Sequence, residues 1–418
     1  MADRVVLMIG TKKGAFVADA AKPRKSFSLR GPFGAGIPAY STLIDTRGTP
    51  RLYASSCNPF FGMKILRSTD MGKSFSLRGP FGAGIPAYST LIDTRGTPRL
   101  YASSCNPFFG MKVLRSTNMG KSFKETKSAP AFPKDDGRAV ANIWSLEAGG
   151  GKKDLLCGVE PASLFRSPDG GDSWEMVAGI SNHEHARKWQ PGGGGLCMHT
   201  IVRDGNRVHL GISTGGHYLS EDGGQTFRAA NNGVGAGFQP DPYPEFGQCV
   251  HKIVRTDKAP GRLYMQNHGG WADWTGPGGP RPGIGVLRSD DYGQSWRSIA
   301  KGLPSDFGFP IAVHPHDPDT VYVVPLEPTT RTCPEGAPAV WRSENGGESW
   351  HRLTKGFPKK ETYFTVLRDA MDIDELKSPA LYFGTTTGQL WIGRDGGEKW
   401  ECLFDALPPI HNVKVAVV

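Results

Sequence analysis

Short apolar segments separated by glycine and proline dominate this chain, and they have the length of β-strands. Examples are Val5–Gly10 and Gly14–Ala18 near the N-terminus and Ala380–Gly384 near the C-terminus. No stretch repeats its apolar residues with the 3.6-residue period of a long helix. The 56 glycines and 33 prolines among 418 residues fit frequent turns between the segments. The pattern predicts an all-β fold.

A polar motif, Ser-x-Asp-x-Gly-x-Ser/Thr-aromatic, follows the paired strands seven times. The first copy is Ser68 to Phe75, and the seventh, Gly393 to Trp400, is degenerate because glycine replaces its first serine. We expect the acidic or amide side chain to accept N–H groups of its own turn, and the glycine to take a positive φ. The predicted turn residues are Asp70, Asn118, Asp169, Asp222, Asp291, Asn345 and Asp395.

The motif resembles the Asp-box, or BNR repeat, of the sialidase and YVTN-like β-propellers. The first two boxes lie 116 − 68 = 48 residues apart, which fits one four-stranded blade. The resemblance implies a closed propeller, with the boxes as structural turns between the third and fourth strands of their blades. Fold alone does not assign a reaction.

The two ends of the chain are predicted to complete one blade together. The N-terminal segments lack an inner strand, and the tail Asn412–Val418 lacks outer strands. Pairing the tail with Val5–Gly10 closes the ring and removes two free sheet edges. We therefore expect a single propeller domain over residues 1–418 with eight blades, one shared by both ends.

A near-identical duplication adds one of these blades. Residues 25–72 and 73–120 differ only at Ile65 versus Val113 and Asp70 versus Asn118. The unit holds one outer strand and the three inner strands of the next blade. The parental ring is therefore expected to have seven blades.

Composition favours a cytoplasmic protein that binds neither nucleic acid nor membrane. The net charge is +9, but the duplicated unit supplies much of it and no basic run stands out. No apolar segment approaches a membrane span, and the first apolar run is short for a signal peptide. The seven cysteines stand singly in strand-like contexts, which favours reduced core thiols.

The face opposite the boxes collects polar side chains from several blades. The predicted catalytic residues are Glu160, His199, His251, His268 and Glu327, and the predicted substrate-binding residues are His217, Arg331 and Arg368. The longest insertions, Ser181–Gly195, Asn231–Gly247, Gly269–Gly285 and Pro328–Pro338, are expected on the same face. Long loops around an opening favour a ligand pocket.

The chemistry of this face has several interpretations. His199, His251 and His268 with a glutamate could hold a divalent metal, or they could act as acid and base while an arginine binds an anionic substrate. Alternatively, the histidines lie between blades and are satisfied by neighbouring backbone. No ligand spacing here is diagnostic of a metal, so the cofactor stays open.

The sialidase resemblance does not extend to sialidase chemistry. The family's early Arg-Ile-Pro element is matched only by Gly36-Ile37-Pro38 and its copy, with glycine in place of arginine. Segments such as GLPSDFGFPIAVHPHDPDTVYVVPLE and VLRDAM are more similar to uncharacterised bacterial glycosyl-hydrolase-like propellers. The resulting hypothesis is a pocket for a small-molecule or carbohydrate ligand, with glycosidase-like hydrolysis as one activity. The alternative is a protein-binding scaffold of the photosystem-assembly-factor type.

Overall fold

Eight four-stranded antiparallel sheets form a closed ring. The structure is a computed structural model that describes residues 4–58, 62–79, 89–106, 110–269 and 283–418, with only the backbone described at 57, 58, 105 and 106. The all-β prediction is confirmed, since the helical segments described are one turn, Ala178–Ser181, and the 3₁₀ segments Pro334–Gly336 and Asp395–Gly397. No helix in the described ranges is long and apolar enough to cross a membrane.

Each blade runs from an inner strand beside the central channel to an outer strand at the rim. The strands of blade 1 other than its inner strand are β1 (Arg4–Thr11), β2 (Gly14–Ala21) and β3 (Ser28–Phe33). Blade 2 contains β4 (Ser41–Asp45), β5 (Arg51–Asn58), β6 (Gly62–Ser68) and β7 (Ser76–Arg78). Blade 3 contains β8 (Thr90–Asp93), β9 (Arg99–Asn106), β10 (Gly110–Ser116) and β11 (Lys124–Glu125). Blade 4 contains β12 (Asn142–Ala148), β13 (Leu155–Glu160), β14 (Ser163–Ser167) and β15 (Glu175–Met176).

The second half of the chain repeats this arrangement. Blade 5 contains β16 (Met198–Asp204), β17 (Arg207–Ile212), β18 (Gly216–Ser220) and β19 (Arg228–Ala229). Blade 6 contains β20 (Val250–Arg255), β21 (Leu263–Asn267), β22 (Val286–Ser289) and β23 (Arg297–Ser298). Blade 7 contains β24 (Ile311–Val313), β25 (Val321–Val323), β26 (Val340–Ser343) and β27 (His351–Leu353). Blade 8 contains β28 (Met371–Ile373), β29 (Leu381–Gly384), β30 (Leu390–Arg394) and β31 (Lys399–Phe404), and β32 (Ile410–Val417) follows it.

The shared blade is confirmed. Strand β32 is the inner strand of blade 1 and pairs antiparallel with β1, from Val5 opposite Val417 to Gly10 opposite Asn412. Its side chains Ile410 and Val413 are fully buried between blades 8 and 1. The C-terminal strand therefore closes both the sheet and the ring.

The core lies between neighbouring blades, which explains why both faces of most strands are apolar. One cluster joins Leu156 and Leu164 of blade 4 to Leu210 and Tyr218 of blade 5. Similar clusters fill the other interfaces, such as the aromatic group of Phe357, Phe383 and Trp400 between blades 7 and 8. Burial against two neighbours makes each blade depend mainly on the blades beside it.

The box turns form as expected in six copies. The side-chain oxygen of Asp70 accepts the Ser74 N–H at 3.0 Å, and the Ser68 hydroxyl accepts the Gly72 N–H at 2.9 Å. Gly72 has a φ of +77°, and an added Cβ would lie 2.7 Å from a Val17 methyl carbon of blade 1. Burial opposes ionisation of Asp70, but the hydroxyls of Ser74 and Ser68 and nearby N–H groups lower its pKa to about 2. The turn thus holds a charged carboxylate and packs against the preceding blade.

The seventh box differs from the other six, and two of the box tryptophans contact the preceding blade. Asp395 accepts from the Ser378 hydroxyl at 3.4 Å, since no box serine precedes it. Trp296 and Trp350 donate to Ala230 O and Ile299 O of their preceding blades, at 3.2 and 2.6 Å. These two tryptophans therefore join neighbouring blades.

The duplicated segment forms two separate blades in one register. Asp45 pairs with Arg51 in blade 2, and Asp93 pairs with Arg99 in blade 3, as the 48-residue offset requires. Residues 80–88 lie outside the described part of the chain, so the second copy of Gly-Ile-Pro has no structural account.

Deleting residues 73–120 should leave a soluble protein with seven blades. The cut joins equivalent positions of the repeat, and blades contact mainly their neighbours. Small-angle scattering and near-ultraviolet circular dichroism would show a smaller folded ring. An aggregated or unfolded deletion variant would mean that the ring needs all eight blades.

Candidate functional site

One end of the central channel opens into a cavity of about 390 Å³ on the face opposite the box turns. Three of the four long insertions contribute to its lining, the first through Gly192 to Gly194, the second through Phe238 and the last through Arg331. Most of the remaining insertion, residues 270–282, lies outside the described residues. The cavity is lined by Trp144, Gly192, Gly193, Gly194, Cys197, Ser213, Thr214, Phe238, Cys249, His251, His268, Phe307, Phe309, Arg331 and Arg368. The insertions therefore build the cavity walls.

β-bulges direct three side chains toward the channel. In blades 4, 5 and 6 the register of the inner strand shifts at the same place, so Trp144, His199 and His251 have no opposite residue. A bulge leaves one extra residue unpaired and turns its side chain. Trp144 and His251 line the cavity, while His199 and Trp144 line the channel below it.

His251 is held by its neighbours and is neutral at pH 7. Its Nδ1 donates to Gly308 O of blade 7 at 2.6 Å, and its ring stacks on Phe309 with centroids 4.9 Å apart. Burial, with His268 and the nearby arginines, lowers its pKa to about 3. His268 packs edge-on against Phe307 and Phe238, and burial with Arg331 lowers its pKa to about 4.

Two arginines give the cavity a positive charge. Arg331 is exposed at the mouth, and its backbone has a φ of +57° in a turn closed by its N–H on Glu327 O. Arg368 is half-buried, and Lys252 Nζ donates to its carbonyl oxygen at 2.9 Å. Among the described residues neither guanidinium has a carboxylate within 4.0 Å, and the buried Arg368 Nε has no hydrogen-bond acceptor.

The other predicted residues lie elsewhere. Glu160 Oε2 accepts from Asn142 Nδ2 and Trp144 Nε1, both at 2.9 Å, so it positions Trp144 beside the cavity. Glu327 lines a separate cleft with Trp341. His199 is half-buried in the channel, with Nδ1 on the Thr200 hydroxyl and Nε2 on Val250 O, both at 2.9 Å. Of the five predicted catalytic residues, only His251 and His268 line the cavity.

His217 also lies outside the cavity, buried between blades 5 and 6. Its Nδ1 donates to Ala230 O at 3.0 Å, and its Nε2 accepts from His209 Nδ1 at 3.2 Å. Burial first, and then His209, lowers the pKa of His217 to about 3, while burial and Arg207 lower that of His209 to about 4. This placement corresponds to the alternative interpretation, in which a histidine is satisfied by neighbouring backbone, and gives no support to substrate binding by His217.

The His209–His217 pair should make the protein sensitive to acid. A histidine with a lowered folded pKa stabilises the fold above its unfolded pKa of about 6.5, and this contribution is lost as the pH falls toward the folded value. As the pH falls from 7.5 to 4.5, we expect each of these two histidines to lower the free energy of unfolding by about 2 kcal/mol. His209→Gln should reduce the loss measured in urea titrations, whereas His351→Gln, at an exposed site, should not. Equal pH dependence in both variants would contradict this assignment.

Several cavity residues were not predicted from the sequence, above all Trp144 and Cys249. The segments CMHTIV and CVHKIV place cysteine two residues before histidine in both blade 5 and blade 6. That repetition was the available signal for Cys249. Among the cysteines whose side chains are described, 157, 197, 249, 333 and 402, none forms a disulfide with another.

Comparison with known proteins gives the fold alone. No family model matches the chain, and no curated protein is significantly similar. Among solved structures, apo AztD from Citrobacter koseri is 10% identical, with 100% of this chain and 98% of that chain covered and a TM-score of 0.55. The GH74 xyloglucanase from Xanthomonas campestris is 17% identical with a TM-score of 0.38, covering 95% of this chain but only 62% of that enzyme. YCF48 from Cyanidioschyzon merolae is 13% identical with a TM-score of 0.49, covering 86% of this chain and 93% of that chain.

Proposed function

We propose that the cavity binds a small anionic molecule, most simply a carboxylate with a planar or apolar body. The observation that supports this is the pair of guanidinium groups, Arg331 and Arg368, in a cavity whose described lining contains no aspartate or glutamate. Among the described residues, neither guanidinium has a carboxylate within 4.0 Å, so both can take an anionic ligand. Arginine binds carboxylates in a bidentate geometry.

The walls define the rest of the ligand. Phe238, Phe307 and Phe309 surround the two histidines, and Trp144 lies on the channel side. A cavity of about 390 Å³ has the size of a small-molecule site. Aromatic faces favour a flat ligand body, including the apolar face of a sugar ring.

Hydrolysis by a pair of carboxyl groups is not part of this proposal. Such glycosidases need two carboxyl groups flanking the scissile bond, whereas Glu160 is bound to Trp144 and Glu327 lies in another cleft. His251 and His268, with pKa values of about 3 and 4, are weak bases at pH 7. Their arrangement favours ligand binding. The concave shape of the cavity favours this proposal over the alternative of a protein-binding scaffold with a flat face. The cytoplasmic location stays a prediction.

Matched pairs of charged and neutral probes test the proposal. Benzoate with benzamide, and glucuronate with glucose, can be titrated by ligand-observed NMR. We expect the charged member of at least one pair to bind at least tenfold more tightly, since a charged partner for a guanidinium is worth more than about 1.4 kcal/mol.

Arginine variants locate the binding. Arg331→Met and Arg368→Met should remove the preference for the charged probe, and Arg187→Met, with a side chain 67% exposed, should keep it. Equal binding of both members of each pair, or an equal effect of all three substitutions, would contradict the proposal.

A further inference from the structure

Cys249, His251 and His268 bring three metal-binding atoms together at the wall of the cavity. Their donor atoms all lie within 4.8 Å of one another. Cys249 directly precedes β20, His251 is the bulge residue of β20, and His268 directly follows β21. The His268 N–H donates to Cys249 O at 2.9 Å, so the backbone fixes the two ends of the cluster.

The orientation of His251 is the one that a metal ligand needs. Because Nδ1 donates its proton to Gly308 O at 2.6 Å, Nε2 carries the lone pair. A ligating histidine almost always donates its other ring N–H to a carbonyl or carboxylate in this way.

Blade 5 offers a natural comparison, because it repeats the backbone arrangement without the ligand set. Its Ser213 N–H donates to Cys197 O at 3.0 Å, as His268 does to Cys249 in blade 6. Serine thus takes the place of His268, and both ring nitrogens of His199 already have partners. Within the described part of the chain, the group of potential metal ligands therefore lies in blade 6 and not in blade 5.

We propose that Cys249, His251 and His268 bind a divalent metal of the zinc type, with the fourth coordination position open to the cavity. One thiolate and two imidazoles suit zinc, and three protein ligands with an open position are typical of zinc sites that bind a further ligand. In a tetrahedral site the ligand atoms are roughly 3.5 Å apart, so the three side chains must approach by about 1 Å. Compared with the sequence-based candidates, Cys249 takes the place of His199.

The charges determine what binding requires. Burial raises the pKa of the Cys249 thiol, so the metal must displace its proton, and each metal ion bound releases one proton to solvent. The metal and the thiolate leave a net charge of +1 beside Arg331 and Arg368. An anion in the fourth position would balance it, so metal and anion should strengthen each other's binding.

Cobalt provides a spectroscopic probe for this site. Protein freed of metal by a chelator and titrated with Co²⁺ alone should bind one equivalent, with visible bands of tetrahedral cobalt and a thiolate-to-cobalt charge-transfer band. One proton should be released per cobalt, and Zn²⁺ should bleach both bands. Absence of a saturable one-to-one complex would overturn the proposal.

Substitutions in the two blades make the test specific. Cys249→Ser should remove the charge-transfer band. His268→Ala should weaken cobalt binding by more than about a hundredfold, which exceeds the loss typical of residues that only hydrogen-bond to a metal ligand. Cys197→Ser and His199→Ala, at the equivalent positions of blade 5, should bind cobalt as the parent does. Near-ultraviolet circular dichroism should first show that all variants are folded. If the folded variants of blade 5 lose cobalt binding as the variants of blade 6 do, the proposal is overturned.

Cobalt binding in the absence of an added anion does not require the two arginines. Arg368→Met should keep cobalt binding or strengthen it a few-fold, because it removes a nearby positive charge. The two proposals can therefore fail separately. The protein could bind cobalt but show no preference for the charged probes, or it could prefer the charged probes but bind no cobalt.

Discussion

A variant that ends at Pro409 should fail to give a folded, soluble protein. The truncation removes β32, which pairs with β1 and buries Ile410 and Val413 completely between blades 8 and 1. Loss of two such side chains costs roughly 5 kcal/mol or more, a large part of the 5–15 kcal/mol that typically stabilises a protein. An open ring also exposes sheet edges that favour aggregation. Soluble yield and near-ultraviolet circular dichroism measure the effect.

A circular permutant provides the matched control. Arg4 and Val418 exchange two backbone hydrogen bonds at 2.8 Å, so a short glycine linker can join them in place of residues 1–3. New ends placed at the exposed turn of Gly205 leave β32 covalently attached. The permutant should fold. If the truncated chain folds equally well, ring closure by β32 is not needed for stability.

Replacing Asp374 with alanine should destabilise the protein by about 3–5 kcal/mol, the usual cost of leaving a buried charge without its partner. Asp374 is fully buried in blade 8 and accepts from Arg24 Nη1 of blade 1 at 2.6 Å and from the Tyr382 hydroxyl at 2.9 Å. Burial and Asp374 both raise the pKa of Tyr382, so the hydroxyl stays protonated as a donor. Urea unfolding monitored by tryptophan fluorescence measures the loss.

An exposed ion pair tests whether burial is the cause. Lys360 and Glu361 are 77% and 78% exposed, and Glu361→Gln should change stability by less than about 1 kcal/mol. The double variant Arg24→Met with Asp374→Asn should recover part of the loss, since no charge is then left unpaired. Equal effects of Asp374→Ala and Glu361→Gln would contradict this account.

The fold could be predicted because its signals are local and repeated. A box turn such as Ser68 to Phe75 specifies its own geometry within eight residues, and its spacing repeats once per blade. The unpaired tail at Asn412–Val418 completed the count of strands. The long insertions and the arginines at 331 and 368 likewise indicated the face that carries the cavity.

Only part of the site could be predicted, because the sequence of a strand does not show which way a side chain points once a bulge is present. A bulge adds one residue without changing the apolar pattern, so nothing separated His251, which lines the cavity, from His199, which lines the channel. His217 lies between two blades, where neighbours cover both faces of the sheet and a polar side chain can be satisfied by backbone, and the sequence alone does not show this. Cys249 was treated as a core thiol, since its proximity to His268 arises only from strand pairing.

A crystal structure of the protein with 4-bromobenzoate would show directly whether the cavity binds a carboxylate. The bromine gives an anomalous signal that reports position without assumptions about the ligand's pose. We expect a peak inside the cavity among Phe238, Phe307 and Phe309, with the carboxylate on Arg331 or Arg368, and no such peak in a variant with both arginines replaced by methionine. Bromine peaks confined to other surfaces, or an identical peak in the variant, would contradict the proposal.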